Sequence, residues 1–190
     1  GTDAIELAWL ASNIGDSDLV ATDTQTAVAT GSAIRRVGAK PIFTDVEKDF
    51  FTMSIDSLES IITKYEIKAI IVVHIYGQMA NMPKIIEIAK RNNIIVIEDC
   101  AQAHGASLLS KNAGTWGDYG CFSFYPTKNL GALGDAGAVV TNNKKSSDKL
   151  REIRQYGWRE RYISIREGIN SRLDELQAAV LRIKLKYLHS

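Results

Sequence analysis

The sequence holds little that would attach it to a highly charged partner or an oxidising compartment. Its 23 basic and 22 acidic residues leave a formal net charge of +1, which gives no electrostatic footprint for nucleic acid or an anionic membrane. Any phosphate it binds is therefore bound locally. Cysteine is scarce. Cys100 and Cys121 both fall in apolar segments, without CxxC spacing or companion histidines, so neither a disulfide scaffold nor a metal site is expected and a cytoplasmic protein is the simplest reading. No apolar run approaches the roughly 18 residues a membrane span needs, and the first residues lack the basic-then-apolar layout of a signal peptide. There is no internal repeat and no low-complexity tract. The glycines of Gly131–Gly137 match neither a Walker loop nor a dinucleotide fingerprint.

What the sequence does contain is enough for one core, with 45% hydrophobic residues in a chain of 190. Apolar runs suited to strands recur at Leu19–Thr22, Pro41–Thr44, Ala69–His74, Ile94–Glu98, Cys121–Phe124 and Ala138–Thr141. Helical patterns lie at Asp3–Asn13, Thr26–Val37, Ser54–Tyr65 and Met82–Asn92. Strands that are apolar throughout are buried on both faces, and their alternation with helices predicts a mostly parallel sheet in a three-layer α/β/α domain. Two further helices are expected at Ser147–Tyr156 and Asp174–Tyr187, joined by a long exposed loop, Gly157–Arg172. The first residues open directly into a helix and residues 181–190 stop within an amphipathic run, so both ends read as cut.

In such sheets ligands bind beyond the carboxyl ends of the strands. Three segments there are polar. Ile94–Asp99 delivers two carboxylates, and Asp99 reads either as a helix N-cap or as the partner of a protonated ring nitrogen. Cys121–Gly131 runs from a strand into a loop of Ser, Thr, Lys and Asn. Lys128 there is either a solvated surface lysine or an amine placed to form an imine, with Ser123 near enough to bind phosphate. Gly1-Thr2-Asp3 opens a helix whose free N–H groups can hold a phosphate, or supplies an ordinary cap. His74 reads as a packed, hydrogen-bonded histidine, His104 as a border of the site or a local cap, and Trp116 and Trp158 as core or interface anchors.

Together the blocks Gly1-Thr2-Asp3-Ala4, Gly38-Ala39-Lys40-Pro41, Val73–Gln78, Glu98–Gly105, Ser123–Gly131 and Asn170–Ala178 resemble the DegT/DnrJ/EryC1/StrS family of sugar aminotransferases, which use pyridoxal 5'-phosphate and share the type I aspartate aminotransferase fold. The resemblance implies that residues 1–190 are a piece of the cofactor-binding large domain, without its N-terminal segment and C-terminal small domain. It makes Lys128 the Schiff-base lysine and Asp99 the partner of the ring nitrogen. Gln102 would lie near the ring hydroxyl, Gly1, Thr2 and Ser123 in the phosphate cup, and Asn170 would reach the cofactor of a neighbouring subunit, so that a homodimer shares its active sites. Tyr125, Arg159, Arg161 and Tyr162 become candidates for contacts to a nucleotide-sugar. The implied reaction moves an amino group from an amino acid, L-glutamate by expectation, to a nucleotide-linked keto sugar, and the segment Thr26–Thr30 resembles relatives acting at the 3-keto position. Where many members carry an aromatic residue that stacks on the ring, this chain has Ala27. Gln25 stands where some relatives carry His. A sugar dehydratase of the same fold would replace the lysine by histidine, which Lys128 opposes; a catalytically silent or regulatory relative is the remaining alternative.

Overall fold

The computed structural model describes residues 1–188; His189 and Ser190, the end of the last amphipathic run, lie outside the described residues. In chain order the elements are α1 Thr2–Ala11, β1 Leu19–Asp23, α2 Val28–Arg36, β2 Lys40–Thr44, α3 Ile55–Lys64, β3 Ile67–Val73, α4 Met82–Arg91, β4 Ile95–Asp99, β5 Ser107–Leu108, β6 Lys111–Asn112, β7 Tyr119–Ser123, β8 Gly137–Val140, α5 Lys144–Ile153, β9 Trp158–Glu160, β10 Ile163–Ser164 and α6 Glu175–Lys184. A six-stranded sheet runs in the order β2-β1-β3-β4-β7-β8. Only the β7–β8 pairing in it is antiparallel.

The uninterrupted apolar runs are explained by two cores. Ala69 and Ile71 of β3 pack with α1, α2 and α5 on one face, whereas Ile70 and Val72 pack with α3 and α4 on the other. A strand between two such layers has no polar side to show. Helix ends differ from the sequence expectation by up to three residues. Ser54 and Asn81 lie outside their helices as caps, each accepting an N–H from the first turn of the helix that follows. Ala27 is extended, with φ −70° and ψ 150°, so α2 begins only at Val28.

One expectation is corrected. The stretch Gly157–Arg172 is exposed, but β9 and β10 form an antiparallel hairpin within it and Asn170 pairs with Gln155. Its short strands lack the alternation that reveals longer ones. Among the described residues no helix is long and apolar enough to cross a membrane.

From β1 the chain moves outward to β2 and then crosses back to β3 on the other side of β1. The crevice beyond the carboxyl ends of β1 and β3 is therefore the topological switch point, where open α/β sheets bind ligands.

Candidate active site

Strand β4 ends at this edge with two adjacent carboxylates that do different work. Glu98 is fully buried. Its Oε1 accepts the N–H groups of Trp116 and Gly117 at 2.7 and 2.8 Å, and its Oε2 accepts the Gly114 N–H at 2.8 Å and meets His74 Nε2 at 3.0 Å. Burial alone would push this carboxyl up; the bonds from His74, Gly117 and Gly114 outweigh it and hold it below the ordinary glutamate range. His74 Nδ1 accepts the Ala80 N–H at 3.3 Å, which leaves Nε2 as the nitrogen that donates to Glu98. The packed reading of His74 is thus what the structure has.

Sequence spacing offered His74 no companion ligand, yet folding gathers His74, Glu98 and Cys100 within 4.8 Å. These atoms are already engaged: both Glu98 oxygens take two donors each, and burial pushes the Cys100 thiol up while it donates to the Glu98 carbonyl at 3.8 Å. The cluster is a clamp that ties the loop after β3 and the turn Gly114–Gly117 to β4. Replacing Glu98 by Gln should cost at least about 1–3 kcal/mol, the usual penalty for leaving a buried donor without its acceptor, because the new NH2 faces N–H donors. Urea unfolding would measure it. Since Glu98 is held low in the fold, its contribution is present above the ordinary glutamate range and lost as pH falls, and that acid slope should vanish in the variant.

Asp99 is buried as well, but it points elsewhere. Its Oδ2 accepts the Thr30 hydroxyl at 2.7 Å and its Oδ1 the Ala101 N–H at 3.1 Å. Thr26 Oγ1 lies 2.7 Å from Thr30 Oγ1; with the Thr30 proton directed to Asp99, Thr26 is the donor. No helix follows Asp99, so the N-cap reading of this residue is overturned: the local N–H bond alone is what a cap would share, and the turn after β4 does not continue as helix.

Gln102 is joined to the neighbouring loops. Its Oε1 accepts the Tyr76 N–H at 2.7 Å, and the Tyr76 hydroxyl accepts from Gln25 Nε2 at 3.3 Å. Its own Nε2 has no partner among the described residues. Tyr76 is 69% exposed and sits at φ +57°, a left-handed conformation that an aromatic residue rarely adopts.

Strand β7 ends in Ser123, which is buried and lies beside the start of α1. A Cβ on Gly1 would lie 2.8 Å from Ser123 Cβ, so glycine is required for this approach. No side chain caps α1, and Thr2 and Asp3 lie within the helix instead of capping it, which leaves their own N–H groups without an acceptor among the described residues. The Ser123 carbonyl accepts His104 Nε2 at 2.8 Å. That fixes the His104 tautomer, with Nδ1 buried and unpartnered, between the rings of Phe122 and Phe124. Burial lowers the His104 pKa, the Ser123 carbonyl opposes the shift, and the Lys128 charge reinforces it. Lys128 is thus within electrostatic reach of His104. It is half-buried in the loop after β7 with its N–H on the Tyr125 carbonyl at 2.9 Å. Its ammonium has no acceptor among the described residues, whereas Lys184 bonds the Gly131 carbonyl at 2.6 Å.

The remaining candidates stand apart. Asn170 is exposed, accepts from Arg172 Nε at 3.0 Å, and lines, with Gly1–Ala4 and β8, a groove of about 1000 Å³. Arg159, Arg161 and Tyr162 belong to the hairpin. Arg159 is paired with Glu152 at 3.3 Å and Arg161 lies over the Tyr162 ring. No hydrogen bond, ion pair or ring contact among the described residues joins them, or the half-exposed Tyr125 side chain, to Asp99 or Lys128. Trp158 packs between Tyr156 and Tyr162 on this hairpin, and Trp116 stacks under Lys111. Two buried residues of the site edge escape a reading of the sequence, Thr30 and Asp23. For Thr30 the only signal was its spacing of four from Thr26 on one helix face.

A mostly parallel sheet with a buried aspartate at one strand end, an unpaired lysine after the next and an uncapped helix beside it defines the large domain of the type I, aspartate aminotransferase fold. The chain belongs to the DegT/DnrJ/EryC1/StrS aminotransferase family, matching it over residues 1–190. It is 48% identical over 188 residues to a UDP-N-acetyl-3-dehydro-alpha-D-glucosamine 3-aminotransferase of Acidithiobacillus ferrooxidans, covering 99% of this chain and 51% of that protein. It is 46% identical to a pleiotropic regulatory protein of Geobacillus stearothermophilus, covering 99% of this chain and 50% of the relative. Among solved structures, S. venezuelae DesV in complex with a ketimine intermediate superposes with a TM-score of 0.95 at 41% identity, over 98% of this chain and 50% of the other. The chain spans about half the length of the relatives it matches.

Proposed function

We propose that the protein containing this chain is a pyridoxal phosphate-dependent aminotransferase that moves an amino group from an amino acid, L-glutamate by preference, to the 3-keto position of a nucleotide-linked sugar. The observation that carries the reading is the convergence, at one sheet edge, of buried Asp99, unpaired Lys128 and the uncapped start of α1 against Ser123. These residues fit the cofactor on structural grounds. Gly1 leaves a close cradle at Ser123 that a side chain would fill, the Thr2 and Asp3 N–H groups of α1 have no acceptor among the described residues, and Gln102 keeps a free donor.

When bound, pyridoxal phosphate supplies an aldehyde for exchange with amines and a ring that withdraws electrons. Lys128 Nζ would hold the aldehyde in the resting enzyme and move the proton between substrate carbon and cofactor carbon. Asp99, oriented by Thr30, would keep the proton on the ring nitrogen. Gln102 Nε2 would donate to the ring hydroxyl. Gly1, Thr2 and the Ser123 hydroxyl would hold the phosphate, in the manner of helix N-termini. Removing that hydroxyl loses one charge-assisted hydrogen bond, about 1.5–3 kcal/mol, so Ser123→Ala should weaken cofactor affinity on the order of tenfold or more. A spectral titration with pyridoxal phosphate would measure it.

Exposed Asn170 beside Gly1 and Thr2 supports a homodimer in which that residue serves the partner's cofactor. Tyr125, Arg159, Arg161 and Tyr162 are proposed nucleotide-sugar contacts; the exposed hairpin supports this for the last three. The two buried, unpaired cysteines support a cytoplasmic setting, where nucleotide sugars are the accessible substrate class.

A second reading, a regulatory protein that has lost turnover, is favoured by the name of the Geobacillus relative together with Ala27 and Gln25. Multiple-turnover assay of the full-length protein with L-glutamate and a UDP- or dTDP-linked 3-keto sugar separates the two. Formation of 2-oxoglutarate and the amino sugar supports the enzyme; cofactor binding without turnover on any such sugar supports the regulator.

A further inference from the structure

Asp23 ends β1 inside the switch-point crevice and has no part in the reading above. It is fully buried, its Oδ2 accepts the Val73 N–H at 2.9 Å, and its Oδ1 is buried with no hydrogen-bond partner among the described residues. Such an orphan is costly to fold around and calls for a reason. Its neighbourhood offers one. Val73, which Asp23 clamps across the crevice, is the residue of β3 that pairs with Asp99 on β4, and the next N–H, of His74, donates to the Asp99 carbonyl at 3.1 Å. Two carboxyl groups therefore flank one residue of β3.

We propose that Asp23 is a positioning residue for the cofactor ring: it acts through Asp99, fixing the end of β3 with one oxygen and sharing with Asp99 the charge that holds the ring nitrogen protonated. The inference rests on the cofactor reading above. Burial is the main influence on the Asp23 carboxyl, pushing it up to about 7; the Val73 N–H opposes this, the negative charge of Asp99 adds to it, and its own N–H opposes it weakly. Asp99 of β4 is the charged group that acts on it; β3 presents to it only a backbone N–H, and the nearby His74 directs Nδ1 to the Ala80 N–H and Nε2 to Glu98. A protonated ring nitrogen seated on Asp99 cancels the Asp99 charge, so Asp23 gives up its proton more easily in the loaded protein than in the empty one. By linkage, affinity for the cofactor then rises with pH below 7 and levels off above it. The gain is tenfold for each unit by which the loaded midpoint lies below the empty one.

The test uses the full-length protein, wild type and Asp23→Asn, which keeps an acceptor for Val73 and removes the acid. Affinity is titrated from pH 5.5 to 8.5 with pyridoxal phosphate and with its 1-deaza analogue, which lacks the ring nitrogen. The expected result is a pH-dependent difference of several-fold between the two proteins for pyridoxal phosphate that disappears with the deaza analogue. The same difference for both ligands, or none for pyridoxal phosphate while both proteins bind it, overturns the inference and leaves the aminotransferase reading standing. Failure of the wild type to bind pyridoxal phosphate at any pH overturns both. Carboxyl carbon NMR of Asp23 in the wild type needs no variant: its midpoint near 7 should fall on loading, and an unmoved midpoint overturns the inference even if Asp23→Asn does not fold.

Discussion

Lys128→Ala in the full-length protein is expected to lower amino transfer by at least about 10³-fold while leaving the fold and most of the cofactor-binding surface intact. The size follows from the two jobs the amine is given. It holds the aldehyde in a form that exchanges readily with an incoming amine, and it then carries the proton between two carbons. Positioned proton transfer alone is worth roughly 10²–10⁴. Structurally the change is mild. Lys128 Nζ makes no hydrogen bond or ion pair among the described residues, and the loop is held through its backbone bond to Tyr125. The melting temperature should therefore move little, and non-covalent pyridoxal phosphate should remain detectable by spectral titration. A large fall in stability would mean that the side chain was structural. Added small amines should restore part of the rate, since they replace the missing base without altering the site.

Asp99→Asn is expected to come second, with a loss of kcat on the order of 10²–10³, the range for removing one preorganised charged group from a buried site. The amide keeps the volume of the carboxylate and can still accept from Thr30 at the position now 2.7 Å away, so the fold is spared. What is lost is the negative charge against which a ring proton is held. The variant should bind the cofactor with altered absorbance and turn over slowly, and an analogue whose ring nitrogen carries a fixed positive charge should recover much of the difference. Thr30→Val tests the support of Asp99 more gently; its effect should be smaller than that of Asp99→Asn and of the same kind.

Much of this arrangement was legible before folding, and the reasons are physical. The sheet could be read because the middle of β3 is covered on both sides: Ala69 and Ile71 face one helical layer, Ile70 and Val72 the other, so none of these four positions has a solvent face. Lys128, Asp99 and Ser123 were legible only in combination. Taken singly, Asp99 looked like a helix cap and Lys128 like a surface lysine. What sequence could not show is contact between distant segments. Thr30 and Asp99 are 69 residues apart, and no local pattern says that the first turn of α2 supplies a hydroxyl to the end of β4. Asp23 was hidden just after an apolar run, where a buried carboxyl looks like the first residue of a loop. The hairpin of β9 and β10 was missed because its strands are two and three residues long and pair only through one tight turn. The clamp around Glu98 belongs to the same class. Its four donors come from His74 and from a turn 16 to 19 residues downstream.

The most direct measurement is borohydride reduction of the full-length protein loaded with pyridoxal phosphate, followed by peptide mapping by mass spectrometry. A single reduced phosphopyridoxyl adduct on Lys128 is the predicted result. An adduct on another lysine, such as Lys184, or no adduct with the cofactor bound, would contradict the assignment of Lys128 and with it the proposed chemistry of the site.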